Sequence, residues 1–181
     1  MSKRFYIFAA WLTMLACSML SGTAMAAAPW NANLLVNPSC DNSDYAGWTK
    51  TDKGSGWGIN TADSRICWAS SYDLCTMEQT VNLPDSGFTA TELDAQPFLV
   101  LGGSYCCPWS RGNNVGMAQI IAYILDESGD TLQTVTLADT TYQAQDIPWT
   151  IVVQNIQLPV GSRSVKFYFA GKDSRGWVGQ Y

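Results

Sequence analysis

The chain has 181 residues, 15 acidic and 10 basic side chains, a net charge of −5, eight tryptophans and no histidine. The length fits one domain with a core of its own. The missing histidine excludes Ser–His–Asp and Cys–His catalysis, His-ligated zinc or haem and an imidazole pH switch, and the acidic balance argues against nucleic acid, which needs a basic footprint.

Residues 1–26 have the features of a secretory signal peptide. Lys3 and Arg4 make a positive start, Phe5 to Leu20 is apolar, and Ala24-Met25-Ala26 is an A-x-A cleavage site. The apolar run has 16 residues, short of the roughly 20 that a spanning helix needs. Met14-Leu15-Ala16-Cys17 loosely matches a bacterial lipobox, with Cys17 as the residue to be lipidated, but the apolar run continues past it. The expected address is therefore secreted, periplasmic or cell-surface. Cleavage near Ala26 would leave a short segment, 27–32, and one domain, 33–181. The mature chain would carry a net charge of −7 and five cysteines: Cys40, Cys67, Cys75, Cys106 and Cys107.

An exported chain matures where disulfides form, so these five are the candidate half-cystines. One is left over, and the spacing selects no pairing. Cys106 and Cys107 are too close along the backbone to bridge each other easily. With no C-x-x-C pair and no histidine, no metal site is expected. Asp41, Asp44, Asp52 and Asp63 match no calcium loop and read as solvated acids.

Helical periodicity is nearly absent from the rest of the chain, and strand patterns recur between Gly, Pro, Asn, Asp and Ser clusters. Trp57 to Asn60 is a short strand. Glu78 to Leu83 alternates, with Gln79, Val81 and Leu83 on one face. Gly87 to Asp94 allows one helical turn. Pro97 to Leu101 is a continuous apolar run, as in a buried strand. Val115 to Leu125 is apolar on both faces, which predicts a central strand. It turns at Asp126 to Asp130 and returns as Thr131 to Leu137. Trp149 to Ile156 and Arg163 to Ala170 read as a further pair, joined by Pro159-Val160-Gly161. The pattern predicts an all-β fold, an antiparallel sandwich or barrel. Trp48, Trp57, Trp149 and Trp177 sit in strand-like contexts and are candidates for the core.

Several segments, in order, resemble the F-box-associated domain family. Asn33-Leu34-Leu35-Val36-Asn37-Pro38 and Gly47-Trp48 resemble its N-L-L-x-N-P…G-W opening, and Gly54 to Gly58 its G-x-G-W strand. Ser71-Tyr72-Asp73-Leu74-Cys75 with Gln79-Thr80-Val81-Asn82-Leu83 is similar to the S-[FY]-x-x-C…Q-x-V-x-L segment. Asp173-Ser174-Arg175-Gly176-Trp177-Val178-Gly179 resembles the closing D-S…G-W-x-G. The resemblance implies a jelly-roll β-sandwich of the galactose-binding type and a glycan or glycoprotein as partner. The best-known members recognise the chitobiose core of high-mannose N-glycans and serve as ubiquitin-ligase adaptors. That adaptor role depends on a separate F-box, so no ubiquitin-ligase partner is expected here.

The resemblance also nominates a sugar site. Trp68 falls where the family places a stacking aromatic ahead of the S-[FY]-x-x-C segment. An indole suits that task, with an apolar face for sugar C–H groups and an N–H for a hydroxyl. Arg175 matches the lysine of a Tyr-Trp-Lys trio in the closing loop, and the two aromatic residues of that trio are absent. Ser104 to Arg111 reads as a loop that either lines a groove with Trp68 through Tyr105 and Trp109, or is tied by a disulfide. No nucleophile–base pair is visible and no motif selects a carboxylate pair for glycoside hydrolysis. The expectation is a non-enzymatic module with no cofactor that binds a glycan or glycoprotein; the alternative is an extracellular protein-interaction or structural sandwich.

Overall fold

The computed structural model describes residues 30–62, 64–107, 116–143 and 147–173; the side chains of 107, 141–143 and 173 fall outside that set. Nine strands are described: β1 (Thr49–Thr51), β2 (Gly58–Ala62), β3 (Arg65–Ala69), β4 (Cys75–Asn82), β5 (Phe98–Cys107), β6 (Gly116–Leu125), β7 (Thr131–Gln143), β8 (Ile147–Gln157) and β9 (Ser164–Asp173). One short helix, α1 (Ala90–Asp94), and a 3-10 turn at Cys40–Asn42 accompany them.

The strands make a five-stranded antiparallel sheet in the order β1-β4-β9-β6-β7, a β5-β8 pair and a β2-β3 hairpin. The fold is an all-β jelly-roll sandwich. Period-2 alternation builds its main layer. On β6, Ala118, Ile120, Ala122 and Ile124 are buried while their neighbours are half-exposed. On β9, Val165, Phe167 and Phe169 face the same core. On β4, Cys75 and Met77 join them, paired in register with Gly171 and Phe169.

The β5-β8 pair supplies the opposite wall through Leu99, Leu101 and Tyr105. Gly103 lets the two layers close together: a Cβ there would lie 3.1 Å from Ile120 Cδ1. No larger residue fits without displacing that side chain.

The structure corrects one pairing. β8 and β9, predicted to be partners, lie in different layers: β8 pairs with β5, and β9 with β4 and β6. The intervening segment is a crossover, and it is pinned to α1. Gly161 N–H donates to Asp94 Oδ1 at 3.0 Å, and the Arg163 guanidinium grips the same carboxylate at 2.9 and 3.1 Å. Helix α1 holds its own start with a capping box, in which Thr89 and Glu92 satisfy each other's backbone N–H groups. The strands β1 and β3 were not predicted at all.

Candidate functional site

Strand ends gather at one end of the sandwich. β4 begins at Cys75 opposite Gly171, and β9 ends at Asp173 opposite Gly116, the start of β6. Gly116 also faces Gln143 at the end of β7, and Ile147 at the start of β8 faces Cys107 at the end of β5. The described loop 70–74, between β3 and β4, leads into this end at Cys75. Two of the expected site residues, Trp109 and Arg175, lie outside the described residues, as do Trp177 and Asp63.

The stacking role expected of Trp68 is corrected by its burial. Its ring is 3% exposed. It stacks on Tyr45 with centroids 6.3 Å apart, meets Trp48 edge-on at 5.5 Å, and donates its indole N–H to the Asp44 carbonyl at 2.8 Å. No face of that ring is left for a sugar. Trp48 and Trp57 are core, as expected, and they too donate to backbone carbonyls, of Asn37 and Thr76, at 2.9 Å each. Buried indoles need such partners. Trp149 is half-buried. Tyr105, expected in a loop, lies on β5 at 8% exposure and belongs to the core. Strand β5 runs on to Cys107, so residues 104–107 are ladder rather than loop.

The cysteines are also placed inside. Cys40, Cys67 and Cys75 are buried thiols, and Cys106 is buried as well. Burial pushes the Cys40 thiol up to about 12, helped by the neighbouring Cys67, Asp41 and Asp44, and pushes Cys67 up to about 11. Such thiols are inert as nucleophiles. Among the described residues, no group of three or more His, Cys, Asp or Glu side chains is placed to hold a metal ion.

What the gathered end offers instead is Tyr72, a residue the sequence reasoning passed over. It is 50% exposed, in the loop between β3 and β4. The loop is fastened from below. Ser71 is buried and its hydroxyl accepts from Ser55 N–H at 2.8 Å. Gly54, at φ +61°, lies close to the hydroxyl end of the ring: a Cβ there would come within 2.7 Å of Ser71 Oγ and 3.1 Å of Tyr72 Cζ. Only glycine meets both conditions cheaply. The turn carrying Gly54 is itself held by Asp52, which accepts from Trp57 N–H at 2.8 Å and from the Lys50 ammonium at 3.1 Å. These bonds hold the Asp52 carboxyl below its usual value of 3.8. Asp52, Lys53 and Ser55 are exposed on the rim of that turn. Ser70 is buried in the Tyr72 loop, and its hydroxyl has no hydrogen-bond partner among the described residues.

An open groove of about 340 Å³ lies elsewhere, between Val36, Gln79, Asn82 and Ser86. Its polar groups are largely committed. The Gln79 amide closes on both backbone groups of Val36, at 2.7 and 2.9 Å, and Asn82 accepts from the Asp85 and Ser86 side of its own turn. It has no exposed aromatic ring to offer.

Residues 25–181 match the family model of the F-box associated region. The chain belongs to this family. Among curated F-box associated relatives it is 27% identical to F-box only protein 17 of Homo sapiens over 85% of this chain and 58% of that protein. It is 28% identical to F-box only protein 6 of Bos taurus over 82% of this chain and 60% of that protein. The chain thus spans about three-fifths of the length of these relatives. Among solved structures it is similar to the enzymatically active domain of tailspike protein 4 of bacteriophage CBA120, with a TM-score of 0.49 and 14% identity over 81% of this chain and 20% of that one. The tandem N-terminal CBM22 domain of Paenibacillus barcinonensis Xyn10C gives a TM-score of 0.43 and 9% identity over 79% of this chain and 49% of that one.

Proposed function

We propose that this F-box associated domain is a non-catalytic module that binds glycans or glycoproteins through the end of the sandwich where Tyr72 stands. The observation that carries the reading is the exposed Tyr72 ring, close to Gly54 in a turn whose residues Asp52, Lys53 and Ser55 are exposed and whose Ser55 N–H is bonded to the neighbouring Ser71. A flat ring with an apolar face and a hydroxyl, ringed by short donors and acceptors, is what a sugar requires: C–H groups to stack and hydroxyls to satisfy. The loop and turn beneath the ring are fastened by the Ser55–Ser71 and Trp57–Asp52 hydrogen bonds, which lowers the ordering cost of binding.

The test is a glycan array probed with the full chain and with Tyr72→Ala. The expected result is binding that weakens about tenfold in the variant. Equal binding by the variant removes the site; no binding to any glycan removes the function. On this reading the chain works outside the cytosol, delivered by the segment 1–26. Intact mass of the exported protein beginning at Ala27 is the matching measurement.

A second reading rests on Ile151 and Val153. These β8 residues are 65% and 56% exposed, and their spacing places them on one face of the strand. Adjacent exposed apolar residues on an outer strand suit a protein contact. Retention of a partner after enzymatic deglycosylation, lost in Val153→Lys, would favour this reading over the first.

A further inference from the structure

Among the described residues, the hairpin β2-β3 has no backbone ladder to either sheet. One of its attachments to the β5-β8 pair is a small cluster separate from the main core: Ala62 from β2, Cys67 from β3 and Cys106 from β5, with Trp149 from β8 packed against it. Both cysteines are 1% exposed. The Arg65 guanidinium lies 5.2 Å from the Trp149 ring and covers the same junction.

Cys106 reaches the hairpin by strand alternation: Leu99, Leu101 and Tyr105 face the main core, so Cys106 lies on the other face of β5. Tyr105 pairs with Thr150 and Cys107 with Ile147, so the extra residue of the register shift lies in β8, beside Trp149. The same alternation acts on β3. Trp68 turns into the main core with Cys40, and Cys67 turns to the opposite face, toward Cys106. Cys40 and Cys67 therefore belong to different packing clusters, although their charges would sense each other.

The geometry points to a disulfide between Cys67 and Cys106 that staples the β2-β3 hairpin to the β5-β8 sheet. It forms by thiol–disulfide exchange with a small disulfide such as oxidised glutathione. One cysteine thiolate attacks the small disulfide, forms a mixed disulfide and expels one glutathione thiolate. The second cysteine, as thiolate, attacks the mixed disulfide and expels the other. The sum is two protein thiols and one small disulfide giving one protein disulfide and two small thiols. Exchange takes place before the hairpin docks, because burial afterwards shields both sulfurs. The bond also leaves the adjacent Cys107 unpaired with its neighbour, in keeping with the strain of a vicinal bridge.

The test uses the full chain, reduced and unfolded, then refolded in a glutathione redox buffer, alkylated, digested and mapped by mass spectrometry. The expected map links the peptide of Cys67 to the peptide of Cys106 and Cys107. The link persists in Cys107→Ser and is absent from Cys106→Ser. Reduction lowers the Tm of the refolded chain by about 10 °C, as expected for a loop of this length, and leaves that of Cys67→Ser unchanged. A fully alkylated map, a Cys40–Cys67 link, or a link that survives Cys106→Ser overturns the assignment. If Cys106→Ser fails to fold, the wild-type map together with Cys107→Ser still decides.

Discussion

Trp68 and Tyr72 stand four positions apart and do opposite work. Trp68 fills the junction between Tyr45 and Trp48 and satisfies its own N–H inside. Removing it leaves a large cavity. Trp68→Ala should cost about 3–5 kcal/mol in urea unfolding, whereas Tyr72→Ala should stay within about 0.5 kcal/mol because its ring is supported but not enclosed. A loss of sugar binding in Trp68→Ala would then trace to unfolding, and the same loss in Tyr72→Ala to the site. The aromatic type of Trp68 was legible in the sequence, but its direction was not. Cys67, Trp68 and Ala69 are all buried, so β3 is covered on both faces and alternation cannot reveal which side is open. The signal for Tyr72 was present and weaker: an aromatic residue at the tip of a Ser-Ser-Tyr-Asp turn.

At the level of elements, the crossover between β8 and β9 is the feature that departs from the nearest-neighbour expectation. A Pro-Val-Gly turn between two apolar runs reads as a hairpin, since consecutive strands often pair. What it cannot display is the grip from Asp94, whose three hydrogen bonds reach across nearly 70 residues of sequence to Gly161 and Arg163. The strands with clean alternation, β4, β6 and β9, were legible because one face of each meets the core. β1 was not, being three residues of Thr and Lys with no apolar pattern. Arg163 and then Gly161 hold the Asp94 carboxyl below its ordinary value of 3.8. A depressed carboxylate contributes stability that is complete above the unfolded value and is lost as pH falls toward the folded one. Acidification through and below 3.8 should therefore lower Tm more in the wild type than in Asp94→Asn. The variant should start lower at neutral pH. Because the pair is exposed, added salt should narrow the gap.

For the whole molecule, the interior near the 3-10 turn is the alkaline weak point. In the reduced chain burial, with Cys67 and then Asp41 and Asp44 adding, lifts Cys40 from 9.0 to about 12. Burial, with Cys40, Asp52 and Cys75 adding, lifts Tyr45 from 10.0 to about 12. Between those limits the unfolded chain has released protons that the folded chain retains. Unfolding then expels protons, and stability falls as pH rises. Tm should decline steadily above pH 9, and Cys40→Ala should decline less steeply; an equal slope in the two proteins would remove Cys40 from the account.

The gathering of strand ends at one pole has an evolutionary consequence. Among the described residues, most of those that fill the main core lie along the strands, and the loop 70–74 at that pole supplies none of them. Substitutions there are screened mainly by what the protein meets outside, and those along the ladders mainly by whether it folds. A lineage can therefore change partners by rewriting a few connecting segments while inheriting the same architecture.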